Sequence, residues 1–134
     1  LEPQYCDNDM TKAMTIVENM ITANADLIGL YGGNNITGSG ISRVISQRGM
    51  EDQVCVVAFD SDAEEVEGLA SGSVKGLVVQ DPYGMGYDGV DFAVKSLQGE
   101  TVEKEVSSPV TIVTKDNMNS EDIKGLLDPY TKKK

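Results

Sequence analysis

Histidine is missing from this chain altogether. Its absence removes serine–histidine and cysteine–histidine catalysis, and with them histidine-ligated metal sites. Cysteine is scarce: Cys6 and Cys55 are too few for a disulfide framework. Cys55 sits inside an apolar run and reads as a small buried hydrophobe. No bridge between the two is expected, because both fall on expected strands and a disulfide needs close, converging Cβ atoms. Cysteine usage alone leaves the compartment open. Positive charge is short as well, with 11 basic residues against 22 acidic ones and a formal charge of −11. That sign argues against nucleic acid, which selects basic patches. The one basic run, Lys132-Lys133-Lys134, reads as a solvated tail. No apolar stretch approaches the ~20 residues of a membrane span. There is no signal-peptide pattern, no fixed-period repeat and no low-complexity tract. Leu1 is not an initiator methionine, which suggests a mature or trimmed product.

What remains is an alternation of strand and helix signals over 134 residues, a length suited to one domain. Residues 3–6 read as a short strand. Asp7-Asn8-Asp9 offers capping oxygens to a helix carrying Met10, Ala13, Met14, Val17, Met20 and Ile21 at helical spacing. An apolar strand is expected at 27–31. After Asn35 comes a second helix, ended by Gly49 as a C′ glycine. Residues 54–59 form the clearest strand, apolar without alternation, as expected when both sheet faces are buried. Asp62 with Glu65 resembles a capping box opening a third helix, and Ser71-Gly72-Ser73 then turns the chain into a strand at 74–79. Beyond Gln80, Asp81-Pro82 forces a bend. A helix at 83–98, a charged connection at 101–108, a strand at 110–114 and a short helix capped by Ser120 complete the order. The alternation predicts an α/β fold, a doubly wound parallel sheet with helices on both faces.

Three strands end on polar side chains: Asn34 after the first, Asp60 after the second and Gln80 after the third. In an open α/β sheet, ligands bind just beyond the carboxyl ends of the strands. Two amides and a carboxylate there suit a neutral, hydroxyl-rich ligand, since amides both donate and accept and a carboxylate accepts charge-assisted bonds. They form a poor catalytic set, so no enzyme is expected, and no cofactor or metal. Because Asn34 and Asn35 are adjacent, Asn35 is expected to cap the helix and Asn34 to face the crevice.

Five stretches carry a family resemblance: Asp9-Met10-Thr11-Lys12-Ala13, Tyr31-Gly32-Gly33-Asn34-Asn35, Val56-Val57-Ala58-Phe59-Asp60, Val79-Gln80-Asp81-Pro82-Tyr83-Gly84-Met85-Gly86 and Val113-Thr114-Lys115-Asp116-Asn117. In their order and spacing the chain resembles the C-terminal portion of a type I periplasmic solute-binding protein, of the ribose- and galactose-binding kind that serves ABC importers. Such proteins close two lobes about a hinge around a ligand. The resemblance implies capture of a monosaccharide or similar polyol, an ABC transporter permease as partner, and a periplasmic or extracellular place, with membrane anchoring as a lipoprotein an option for a full-length form. It assigns sugar contacts to Asn34, Asp60 and Gln80. Where sugar-binding members often carry a stacking aromatic, this chain has Asn8, either a ligand contact or a loop residue facing water.

The resemblance also implies a division. Residues 1–80 would be the second ligand-binding lobe without its first strand and helix. Residues 81–108 would be a crossing segment and a helix packed on an absent first lobe, and 109–134 the final strand and helix. The chain is then expected to be a fragment, and the uncovered helix face at Val90, Ala93, Val94 and Leu97 to promote self-association. Two other readings keep Asp60 at a strand end. One is the effector-binding core of a LacI-type regulator. The other, weaker, is a phospho-receiver domain with Asp7 and Asp9 beside Mg²⁺ and Lys115 as its late lysine. A general base at Asp60 lacks an acid partner.

Overall fold

A computed structural model describes residues 1–127; the Lys132-Lys133-Lys134 tail lies outside them. Helix α1 (Met10–Ala23) starts where the Asp9 carboxylate accepts from the Lys12 backbone N–H at 2.8 Å. Its buried face, Ala13, Val17 and Ile21, packs on α2 (Asn35–Arg48). Gly49 ends α2 at φ 61°, the left-handed conformation that favours glycine. Between them runs β1 (Gly29–Gly32). The chain continues through β2 (Cys55–Phe59), α3 (Ala63–Ser71), β3 (Gly76–Gln80), α4 (Pro82–Leu97), β4 (Val110–Val113) and α5 (Glu121–Leu127). Asp62 and Glu65 make the expected reciprocal capping box at the start of α3.

The sheet order is β1-β2-β3-β4. The first three strands are parallel neighbours, with Gly32 opposite Ala58 and Phe59 opposite Val78. Single helices connect them, as right-handed βαβ crossovers require. β4 runs antiparallel to β3, pairing Leu77 with Val113 and Gln80 with Val110, so the sheet is mostly parallel with one reversed edge strand. Residues 3–6 do not form the expected strand. They stand off from β1 across a cavity of about 340 Å³, lined among others by Pro3, Cys6, Val17, Leu30 and Ile41. Gly29, Leu30 and Tyr31 of β1 border the same cavity, and β1 pairs with β2 alone among the described residues.

Core side chains come from one face of each strand and from the helices: Val56, Ala58, Leu77, Val79 and Val113 beneath Ile41, Val44, Ile45 and Leu69. The opposite face is less covered. Val57, Phe59 and Val78 are half-buried, while Tyr31, Val110 and Ile112 are exposed. Burial in β2 therefore alternates although its sequence does not. This corrects the reading of Cys55, which opens β2 on the thinly covered face and is exposed; Cys6 is the buried cysteine, and both are free thiols. No residue of α4 is buried; Tyr87, Val90, Val94 and Leu97 all face outward. Among the described residues no helix is long and apolar enough to cross a membrane.

Candidate functional site

Three adjacent parallel strands deliver their carboxyl ends to one edge of the sheet, and that edge holds Asn34, Asp60 and Gln80. Asp60 and Gln80 meet directly: Gln80 Nε2 donates to Asp60 Oδ1 at 2.7 Å. Among the described residues Asp60 Oδ2 takes no hydrogen bond and stays available. The Asp60 backbone has φ 87°, strained for a side chain with a Cβ, and its N–H is tied to the Val78 carbonyl at 3.0 Å. Strain of this kind costs about 1–3 kcal/mol and concentrates at functional sites.

Asn34 and Asn8 form the second pair, with Asn34 Nδ2 donating to Asn8 Oδ1 at 3.3 Å. The expected division of labour between Asn34 and Asn35 is corrected. Asn34 is the N-cap of α2, its Oδ1 accepting from the Thr37 N–H at 2.9 Å and from Thr37 Oγ1 at 2.7 Å. Among the described residues the Asn35 side chain only accepts from the next residue's N–H. The cap turns the Asn34 amide NH₂ toward Asn8 rather than leaving the whole group free. Asn8 is exposed at φ 61°, and its neighbour Asp7, at φ 53°, pairs with Lys12. Thr37, unremarked in the sequence, also touches the buried Cys6 sulfur at 3.4 Å. That hydrogen bond is the main reason the Cys6 thiol is drawn below its ordinary pKa.

Glu65 was legible as a cap but not as a buried acid. Its carboxyl group is fully buried, Oε2 accepts from the Asp62 N–H at 3.2 Å, and Oε1 has no partner among the described residues. Burial is the chief cause that pushes its pKa up to about 8; the hydrogen bond from the Asp62 N–H works against it, and the charges of Asp62 and Asp60 add to it. No group of three or more metal-ligating side chains gathers among the described residues.

A mostly parallel α/β sheet with polar side chains at consecutive strand ends is an architecture in which small ligands bind beyond the carboxyl ends of the strands, as they do in periplasmic binding proteins. The chain belongs to that family: residues 1–101 match the family described as the periplasmic binding protein domain. It is similar to the ribose import binding protein of Salmonella typhimurium, with 30% identity over 115 residues, 86% of this chain and 38% of that protein. Among solved structures it resembles a carbohydrate transporter solute-binding protein from Agrobacterium radiobacter in complex with D-arabinose. The TM-score there is 0.88 at 40% identity, covering 92% of this chain and 42% of that one. An ABC transporter solute-binding protein from Agrobacterium vitis with bound D-fucose gives a TM-score of 0.89 at 34% identity, covering 96% and 44%. The chain thus spans about two-fifths of the length of the relatives it matches.

Proposed function

We propose that this chain supplies one wall of a sugar site in the substrate-binding component of an ABC importer, placed in the periplasm or at the cell exterior, and that it binds a monosaccharide or similar polyol without converting it. The observation that carries this reading is the Asp60–Gln80 pair at the ends of β2 and β3, in line with Asn34 at the end of β1. Gln80 engages one carboxylate oxygen and orients the other, and a carboxylate accepting from sugar hydroxyls forms the stronger, charge-assisted kind of hydrogen bond. Asn8 and Asn34, already paired, present an amide edge able to donate and accept. No flat apolar ring is placed at Asn8, which favours a ligand held by hydroxyl contacts over one held by stacking. Residues 81–108 serve on this reading as the crossing segment, with α4 facing the other lobe and the permease a partner of the whole assembly.

The test is an NMR titration of the chain with D-arabinose, D-fucose and D-ribose. Shifts concentrated at the amides of Asn8, Asn34, Asp60 and Gln80 are expected, and their absence at tens of millimolar sugar would refute the site. Replacing Asp60 by alanine should weaken binding by about 1.5–3 kcal/mol, typical of a hydrogen bond to a charged group. An unchanged affinity would reduce Asp60 to a turn residue.

Self-association follows from the outward apolar face of α4. Val90 and Leu97 are 67% and 89% exposed, and a contiguous apolar patch favours association. Sedimentation velocity should show a concentration-dependent increase in mass that Val90→Asp with Leu97→Asp abolishes; a wild type that stays monomeric would contradict it.

A further inference from the structure

Beneath the strand ends, four elements meet with no side chain to spare between them. A Cβ added to Gly32, at the end of β1, would stand 2.7 Å from Cα and N of Gly38 in α2. A Cβ on Gly38 would in turn lie 2.7 Å from the Ala58 Cβ of β2 and would overlap the Oε1 atom of Glu65. The Glu65 carboxyl group therefore occupies the place where a side chain on Gly38 would go, and it closes the junction between α2, β2 and α3. From there two hydrogen bonds reach the loop after Asp60. Glu65 Oε2 accepts from the Asp62 N–H, and Asp62 Oδ1 accepts from the Glu65 N–H at 3.0 Å. Ser39 of α2 completes the tie by donating to both Asp62 carboxylate oxygens, at 3.1 and 3.2 Å.

We propose that Glu65 is the positioning residue of the sugar site, locking the N-terminal end of α2, which Asn34 caps, to the strained turn that carries Asp60. The proposal rests on the sugar-binding reading above and adds a condition to it. The lock holds only while the carboxyl group is uncharged. Among the described residues Oε1 has no hydrogen-bond partner, so a negative charge there would be buried without compensation. The groups facing it make this worse. Asp62 and Asp60 are both acidic, α2 and β2 present the uncharged Gly38 and Ala58, and the basic Arg43 is engaged by Glu64 at the surface. An ionised Glu65 must seek water, and leaving its slot pulls the α2–α3 junction apart directly below the ligand. Burial and the two neighbouring acids place this change near pH 8.

The experiment is a pH titration from 5 to 9 of the chain labelled for NMR at side-chain carboxyls and backbone amides. The Glu65 carboxyl signal and the amides of Thr37, Asp60 and Gln80 are expected to move together with one midpoint near 8. In E65Q, which keeps the side chain's shape and removes its charge, those amide shifts should vanish. A Glu65 midpoint in the ordinary carboxylate range overturns the proposal, and so do strand-end amides that stay still while Glu65 titrates. If E65Q does not fold, the wild-type titration decides alone. D-arabinose added at pH 6 and pH 9 gives the functional arm. With the competent, protonated form reduced to about a tenth one unit above its midpoint, apparent affinity should fall about tenfold. Binding that ignores pH while the amides move would show that Glu65 does not position the site. Failure of D-arabinose, D-fucose and D-ribose to bind at any pH would overturn the sugar reading instead, and leave the strand-end coupling to the NMR result.

Discussion

Replacing Gly32 with alanine should destabilise the chain by about 3 kcal/mol, the upper end of the usual cost of overpacking. The new methyl group would meet backbone, Cα and N of Gly38 at 2.7 Å, and backbone has no rotamer to change. Relief would require α2 to lift from the sheet, away from the packing of Val44 and Ile45 on Val56 and Ala58. Gly33 is the control. Nothing lies within 4 Å of a Cβ there, and its φ is not in the left-handed region, so Gly33→Ala should change stability by less than about 1 kcal/mol. Thermal unfolding reads the difference, with Gly32→Ala expected to melt about 10 °C lower in a domain of this size. Equal melting temperatures for the two variants would mean that α2 and β1 are less tightly apposed than described.

Some of this architecture could be read from the residues and some could not. The order of parallel strands was legible because each apolar run is followed by a helix with its own start and stop signals: Asp62 with Glu65, then Gly49 and Gly72 past helix ends. Those local signals act within a few residues, so sequence carries them directly. Strand direction in β4 is not local. Nothing in Val110-Thr111-Ile112-Val113 distinguishes parallel from antiparallel pairing, and the reversal shows only when Gln80 is found opposite Val110. The run from Val54 to Phe59 is apolar on both faces, which states what could be buried and leaves open what covers each face. Hence the exposure of Cys55, which its apolar neighbours in sequence do not reveal. The choice of Asn34 over Asn35 as cap did have a signal: three residues on from Asn34 is Thr37, which offers both an N–H and a hydroxyl, whereas Asn35 finds only Gly38. Glu65 was visible as the partner of Asp62. Its full burial depends instead on glycine at position 38, which lies on a different helix and meets it only through the tertiary packing of α2 on α3.

That burial leads to the largest pH effect expected of this protein. An isolated glutamate has its pKa at 4.5, and in the folded chain Glu65 is raised to about 8, chiefly by burial. Between those values the folded chain holds a proton that the unfolded chain has released, so stability must fall as pH rises. Each pH unit across the window removes about 1.4 kcal/mol, an order-of-magnitude loss of about 4–5 kcal/mol in all. Against the roughly 5–15 kcal/mol typical of a domain, this is a large share. Urea denaturation at pH 5 and pH 8 should therefore give a clearly lower midpoint at the higher pH. Glu65→Gln separates this cause from the general repulsion of a chain carrying −11 charges, which both proteins share. The substituted amide would keep the bond from the Asp62 N–H but bury N–H donors where Oε1 now sits unpartnered, so the variant should be less stable than wild type at pH 5. It has no proton to lose, and its stability should stay nearly flat to pH 8, where it overtakes the wild type. Parallel pH profiles for the two proteins would show that Glu65 is already charged in the folded state, with a compensating contact or water at Oε1.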